Sequence, residues 1–152
     1  MGTRALTFVY DGYKQKNGKM KYKPIINMYS QYDGYPSGLG TDLAVFLRQF
    51  TMCNGIPVGE NNKVYANGMG CLAAQLVAHF KTGAGGFYLY PTDATDCGQD
   101  YEYHIYNDAD GEVCVRVTNR GCNFFGLTLS DTNEDLFAGP VVKFEEFCEV
   151  VE

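Results

Sequence analysis

Two short segments alternate so strictly that they limit the fold to a sheet with at least one dry face. Tyr101, Tyr103 and Ile105 share one side of the first, and Val113, Val115 and Val117 one side of the second. That period of two belongs to β-strands. Both apolar sets reach one core if residue 105 opposes 113, which sets 104 against 114 and 102 against 116. The connecting turn is then Asn107–Gly111. This register predicts a cross-strand Glu102–Arg116 pair, worth about 0.2–1 kcal/mol on an exposed face.

Further strands are expected at Ala5–Tyr10, Lys23–Ser30, Phe87–Tyr90 and Phe124–Leu129. In the first, Leu6, Phe8 and Tyr10 lie on one face and Thr7 and Val9 on the other. The polar stretch Asp11–Met20, with Gly12 and Asn17-Gly18, reads as the long tip of a hairpin joining the first two strands.

A different period marks the helices. Leu43, Phe46, Leu47 and Phe50 form a stripe over Asp42–Phe50, with Thr41 as its cap. Leu72, Ala73, Leu76, Val77 and Phe80 do the same over Met69–Lys81, closed by Gly83. A third helix is expected from Pro140, on Val141, Phe144, Cys148 and Val151. Asn54–Asn67 reads as a polar connection. Strands and helices are segregated along the chain, so the expected fold is α+β: a mainly antiparallel sheet with two or three covering helices in one domain. The 152 residues, 45% hydrophobic and 20% charged, can bury such a core.

The net charge is −6, which argues against nucleic acid as a partner for the chain as a whole. The charge is unevenly placed, however. Lys14, Lys16, Lys19, Lys21 and Lys23 occupy one segment with no acid between them. The remaining seven basic residues face all 18 acids. A basic finger on an acidic body follows, and Lys14, Lys16, Lys19 and Lys21, beside Tyr13 and Tyr22, are candidate nucleic-acid contacts. The alternative is a solvated hairpin tip.

Six cysteines are spread without a CxxC pair, and only His79 and His104 join them. No zinc spacing results, and no metal or cofactor is expected. With no signal peptide or transmembrane run read in the sequence, the cysteines are expected to be free thiols serving as small hydrophobes, in a protein that is neither secreted nor membrane-bound.

Three sets of residues are candidate sites. Asp33, among Tyr29, Tyr32 and Tyr35, reads as a catalytic carboxylate or as a loop anchor. Asp93, Asp96 and Asp100, with Glu102 and His104 beyond, offer carboxylates near an imidazole or a polar connection that caps its own turns. Asp33, Asp96 and His104 are the candidate catalytic set. The glycine-rich helix starts Ser37-Gly38-Leu39-Gly40-Thr41 and Asn67-Gly68-Met69-Gly70 offer backbone amides to an anion, through Ser37, Gly38, Gly40, Thr41, Gly68 and Gly70, or serve ordinary capping and packing. Neither is a Walker loop or a dinucleotide fingerprint. Cys97 lies beside Asp96, an unfavourable place for a nucleophilic thiolate.

Several segments together carry a resemblance: Met1-Gly2-Thr3-Arg4-Ala5-Leu6-Thr7, Tyr29-Ser30-Gln31-Tyr32-Asp33-Gly34-Tyr35-Pro36-Ser37-Gly38, Asn67-Gly68-Met69-Gly70-Cys71-Leu72-Ala73-Ala74-Gln75, Tyr88-Leu89-Tyr90-Pro91 and Gly98-Gln99-Asp100-Tyr101-Glu102-Tyr103. With these the chain resembles an uncharacterised family of small soluble proteins found in bacteria, phages and large DNA viruses, and looks most like the copies in Marseillevirus-type viruses of amoebae. The resemblance implies a viral accessory or virion-associated protein, in the virion or host cytoplasm, with a host or viral protein as partner. It assigns no catalytic role to any residue. The expected mode of action is binding. The alternatives are a small hydrolase or transferase for a phosphorylated or nucleotide-like substrate, and a nucleic-acid binder using the lysine tip.

Overall fold

The computed structural model describes residues 2–55, 63–120 and 134–150. The elements run β1 (Ala5–Lys14), β2 (Met20–Ser30), a π-helical turn (Pro36–Gly40), α1 (Thr41–Arg48), β3 (Phe50–Cys53), β4 (Val64–Asn67), α2 (Gly68–Phe80), β5 (Phe87–Tyr90), β6 (Tyr101–Asn107), β7 (Val113–Asn119), β8 (Glu134–Pro140) and α3 (Val141–Val150). The expected strand at Phe124–Leu129 and the thiol of Cys122 lie outside the described residues.

Six strands form one sheet in the order β5-β2-β1-β6-β7-β8, and β3 and β4 form a small parallel pair. Every neighbouring pair in the large sheet is antiparallel except β1 and β6 at its centre. The fold is therefore α+β, with an antiparallel-dominated sheet. One face carries Val9, Met28, Tyr103, Ile105 and Val115, packed against Leu43, Leu72, Leu76 and Phe144 of the helices. Phe144 is fully buried, and truncation to Ala at such a site costs about 3–5 kcal/mol. Arg48 of α1 donates two hydrogen bonds to Glu145 of α3, at 3.0 and 2.9 Å, and ties these helices together.

The opposite face is covered by chain without helix or strand. Leu6, Phe8 and Tyr29 form a second apolar cluster there, with Tyr10, Tyr90 and Cys97 against it. Asn27 donates to the carbonyls of Pro91 and Ala94, at 3.1 and 2.9 Å, and fixes segment 91–100 over this face. Both faces of β1 are thus buried, which explains why Thr7 and Leu6 are equally inaccessible.

The β6–β7 register differs from the expected one by two residues. Ile105 opposes Val115, His104 opposes Arg116, and Glu102 opposes Thr118. The faces are as expected, because a shift of two preserves parity. The turn decides the register. Asp108 accepts from the amides of Asp110 and Glu112, both at 2.9 Å. Its own amide bonds the Glu112 carbonyl. Asn107 is drawn into the strand by exchanging bonds with Gly12, Gly12 N to Oδ1 at 2.7 Å and Nδ2 to Gly12 O at 2.8 Å. The Glu102–Arg116 pair does not form.

Other boundaries also move. The hairpin is longer than expected, since β1 reaches Lys14 and β2 starts at Met20, with a register shift between Val9 and Tyr10. Phe50 belongs to β3, and the connection 54–67 contains β4. Thr41 is the first residue of α1 and bonds the Pro36 carbonyl at 3.4 Å, while the cap position is Gly40. α2 closes at Lys81, ahead of Gly83.

Candidate functional site

The register that removes the Glu102–Arg116 pair creates a different arrangement. On the face away from the helices, β1 presents Tyr10, β6 presents Glu102, His104 and Tyr106, and β7 presents Arg116, all by strand alternation. Tyr22 joins from β2, where it opposes Gly12. Tyr10, Tyr22, His104, Tyr106 and Arg116 line a cleft of about 310 Å³.

The cleft has a buried polar floor. His104 and Glu102 are 7% and 6% exposed. Tyr10 Oη lies 2.7 Å from His104 Nδ1, and His104 Nε2 lies 3.1 Å from Glu102 Oε1. The other carboxylate oxygen, Oε2, accepts from Gln99 Nε2 at 2.8 Å and from Arg120 Nη1 at 3.1 Å. Burial pushes the Glu102 carboxyl upward, but hydrogen bonds from His104 and Gln99 and the charges of His104 and Arg120 outweigh it and hold the group below its usual value. An ionised carboxylate only accepts, so Nε2 carries a hydrogen. With the hydrogen on Nε2, Nδ1 can accept from the Tyr10 hydroxyl. Phe8 stacks on the imidazole, with centroids 5.2 Å apart and planes 3° from parallel, and fixes its orientation.

Tyr10 closes the polar chain at the cleft. Burial, offset by Arg116 and reinforced by Glu102, raises its pKa to about 12. At neutral pH it is a phenol that donates, and it is a poor base. Tyr22 stands edge-on to Tyr106 at 5.6 Å and donates to the Asn107 carbonyl at 3.0 Å. Arg116 has its side chain 46% exposed and is only loosely paired, with Nε 3.9 Å from Asp135. The cleft therefore combines aromatic rings with a guanidinium that has hydrogen bonds left to give.

Of the expected catalytic set, only His104 lines this cleft. Asp96 is exposed in the covering segment. Asp33 is exposed in the loop after β2, in a left-handed conformation with φ 56°, and its nearest side-chain bond is from Tyr35 Oη at 3.5 Å. Its carbonyl accepts from the Leu39 amide at 2.8 Å, as a loop anchor would. Tyr103, on the helix face of β6, donates to the Gly34 carbonyl next to it, whereas His104 points to the other face.

The glycine-rich helix starts serve the protein's own packing. The amides of Gly38, Leu39 and Gly40 bond the carbonyls of Tyr35 and Asp33. A Cβ on Gly40 would meet Cys148 Sγ at 2.9 Å, so this glycine permits the close approach of α3. At α2, Asn67 Oδ1 accepts from the Gly55 amide, and Asp11 and Asp110 share the neighbouring hollow with Gly68. Two carboxylates there oppose an anion. Ser37 is exposed, and Gly70 has open space around it. The five lysines of 14–23 are all exposed on the hairpin. Cys97 has its pKa raised, first by burial and then by Asp96. The five described cysteines are free thiols, with Cys114 and Cys148 buried. Among the described residues no cluster of His, Cys, Asp or Glu could hold a metal ion, and no helix is long and apolar enough to cross a membrane.

Comparison with known protein families, with curated proteins and with solved structures finds no match to the chain.

The sequence contains the parts of the cleft but not their meeting. Alternation placed Tyr10 beside Phe8, and His104 opposite Tyr103. The parallel β1–β6 pairing that joins Tyr10 to His104 spans 94 residues of chain and leaves no local signal. Glu102 and Arg116 were visible as a charged pair, and a shift of two residues gave them different partners.

Proposed function

We propose that the protein acts by binding, as a viral accessory protein of the kind its sequence resembles, and that its ligand site is the tyrosine–arginine cleft. The ligand is planar and anionic, with the chemistry of a nucleotide or an aromatic carboxylate. The carrying observation is the grouping of Tyr10, Tyr22 and Tyr106 around the half-exposed Arg116 in one cleft. Tyrosine rings supply stacking area at low entropic cost, and a guanidinium prefers planar oxyanions.

Binding is favoured over catalysis by the state of the polar floor. Both Glu102 oxygens are already occupied by donors, and Tyr10 holds its proton to about pH 12. Neither Asp33 nor Asp96 lines the cleft. A ring stacked on tyrosine contributes about 1–3 kcal/mol, and a charged hydrogen bond to Arg116 about 1.5–3 kcal/mol. Together these give about 2.5–6 kcal/mol before association costs, so a dissociation constant of about 10⁻⁴ M at the tightest, and otherwise millimolar, is expected.

The test is calorimetric titration with nucleoside monophosphates and with benzoate-type carboxylates. Binding that weakens about ten-fold or more in Arg116→Ala supports the reading. Binding unchanged in that variant, or none to either class at millimolar concentration, refutes it. The viral context is tested separately: quantitative proteomics of purified particles should detect the protein if it is packaged, and its absence from them would refute packaging.

A further inference from the structure

The cleft does not end at Arg116. Tyr22, on its β2 side, belongs to the hairpin that projects past the core and carries the five lysines. Strand alternation divides those lysines. Lys14 lies on the same face of β1 as Tyr10 and Gly12, four residues further on, which is about 13 Å at the rise of a strand. Lys16 and Lys19 stand in the tip, where Gln15 N bonds the Lys19 carbonyl, and the Lys19 amide bonds Asn17 Oδ1 at 2.9 Å. Lys21 and Lys23 flank Tyr22 in β2 and therefore occupy the opposite face. None of the five forms an ion pair among the described residues. Asp108, the acid whose charge acts on Tyr22, has one carboxylate oxygen, Oδ1, engaged by the Asp110 and Glu112 amides.

We infer that the hairpin and the cleft form one continuous surface for single-stranded nucleic acid. One base is taken up between the cleft tyrosines, and the sugar–phosphate chain passes along Lys14 toward Lys16 and Lys19. The inference rests on the cleft reading and names its ligand. The chemistry required is a row of cations that follows a backbone and aromatic rings that accept any base; Lys14 shares the face of the tyrosines, and Lys16 and Lys19 lie beyond it in the tip. A duplex does not suit the site, because its bases are stacked inside and cannot reach Tyr10, Tyr22 and Tyr106 without being flipped out. The acidic body confines attraction to the hairpin, since the rest of the surface repels phosphate.

The experiment is fluorescence anisotropy of a labelled single-stranded ten-nucleotide oligomer against the full chain, from 50 to 200 mM salt, with a mononucleotide titrated in parallel. Three phosphate contacts predict a slope of log K against log salt of about −2. Lys14→Glu/Lys16→Glu/Lys19→Glu should remove that slope and weaken binding by more than ten-fold. Lys21→Glu/Lys23→Glu, on the other face and with about two-thirds of that change in charge, should weaken binding clearly less per lysine changed. Tyr22→Ala should weaken the oligomer by about five-fold or more. All these positions are exposed, and circular dichroism checks that each variant is folded. An oligomer bound no tighter than the mononucleotide overturns the inference and leaves the cleft reading standing. Equal effects of the two lysine variants, or equal affinity for duplex, also overturn it. An oligomer held by the lysines but indifferent to Tyr22→Ala and Arg116→Ala overturns the inference as well, and the cleft reading then stands or falls on its own titration.

Discussion

Removing the Glu102 carboxylate should be among the costliest single changes on the loop-covered face, and the structure says how the cost divides. In Glu102→Ala, Gln99 keeps its bond to the Thr95 carbonyl at 2.8 Å, and Arg120 keeps the same carbonyl at 3.3 Å. Among the described residues His104 has no such second partner for Nε2. One buried polar group is stranded, at about 1–3 kcal/mol, and a charge-assisted bond is lost. Arg120 is partly exposed, so its share is small. The expected loss is about 3–4 kcal/mol. Glu102→Gln should cost less, about 1–2 kcal/mol. Its amide oxygen can accept from Gln99 and Arg120, and its amide nitrogen can donate to Nε2 if the imidazole changes tautomer. Nδ1 then donates to Tyr10 Oη, and the phenol proton turns toward the cleft. Urea denaturation at pH 7 measures both variants.

The pH dependence adds a sign. The folded pKa of Glu102 lies below its ordinary value of 4.5, so between the two values the unfolded chain binds more protons than the native one. Stability from this group is complete above the unfolded pKa and is lost as pH falls through the folded one. The gap between wild type and Glu102→Gln should hold from pH 7 to about 5.5 and close below about 4.5. A Glu102→Ala variant within about 0.5 kcal/mol of wild type would refute the reasoning. So would a gap that widens in acid.

Three other outcomes follow from local geometry. Ultraviolet titration should show a tyrosine that ionises near pH 12 and disappears in Tyr10→Phe; because its folded pKa is raised, its contribution to stability is lost as pH rises from about 10 toward that value. Gly34→Ala should destabilise by about 2 kcal/mol or more in urea melts, since the new Cβ would lie 2.8 Å from Ala5 Cβ and 3.0 Å from the Arg4 and Thr3 backbone; Gly70→Ala, in open space on α2, should stabilise by about 0.5–1 kcal/mol. Arg116→Ala should change stability by less than about 0.5 kcal/mol, because its ion pair is long and exposed, so any loss of ligand binding in that variant is not a folding effect.

What could be read from the sequence was what repeats locally. The period of two in Tyr101–Ile105 and Val113–Val117 gave strands and faces, and the stripes around Leu43 and Leu72 gave helices. Parity is blind to a shift of two, so the β6–β7 register waited on the Asp108 side chain and on Asn107's bonds to Gly12. Residues 11–14 looked like loop because they have no apolar face. They are strand because the hairpin is satisfied by its own ladder beyond the core. The buried pair was harder still. His104 and Glu102 alternate with Tyr103 and Ile105 as solvent-facing residues do, and the covering segment anchored by Asn27 and Gln99 takes them out of water. That cover is irregular chain, and nothing local in 91–100 announces which face it crosses.

The most direct measurement is chemical-shift mapping of the ¹⁵N-labelled protein with a nucleoside monophosphate. Saturable shifts are expected at Tyr10, Tyr22, His104, Tyr106 and Arg116, spread over four strands and absent from the helix starts at Ser37–Thr41 and Gly68–Gly70. Shifts confined to those helix starts, or to the loop around Asp33, would contradict the cleft reading.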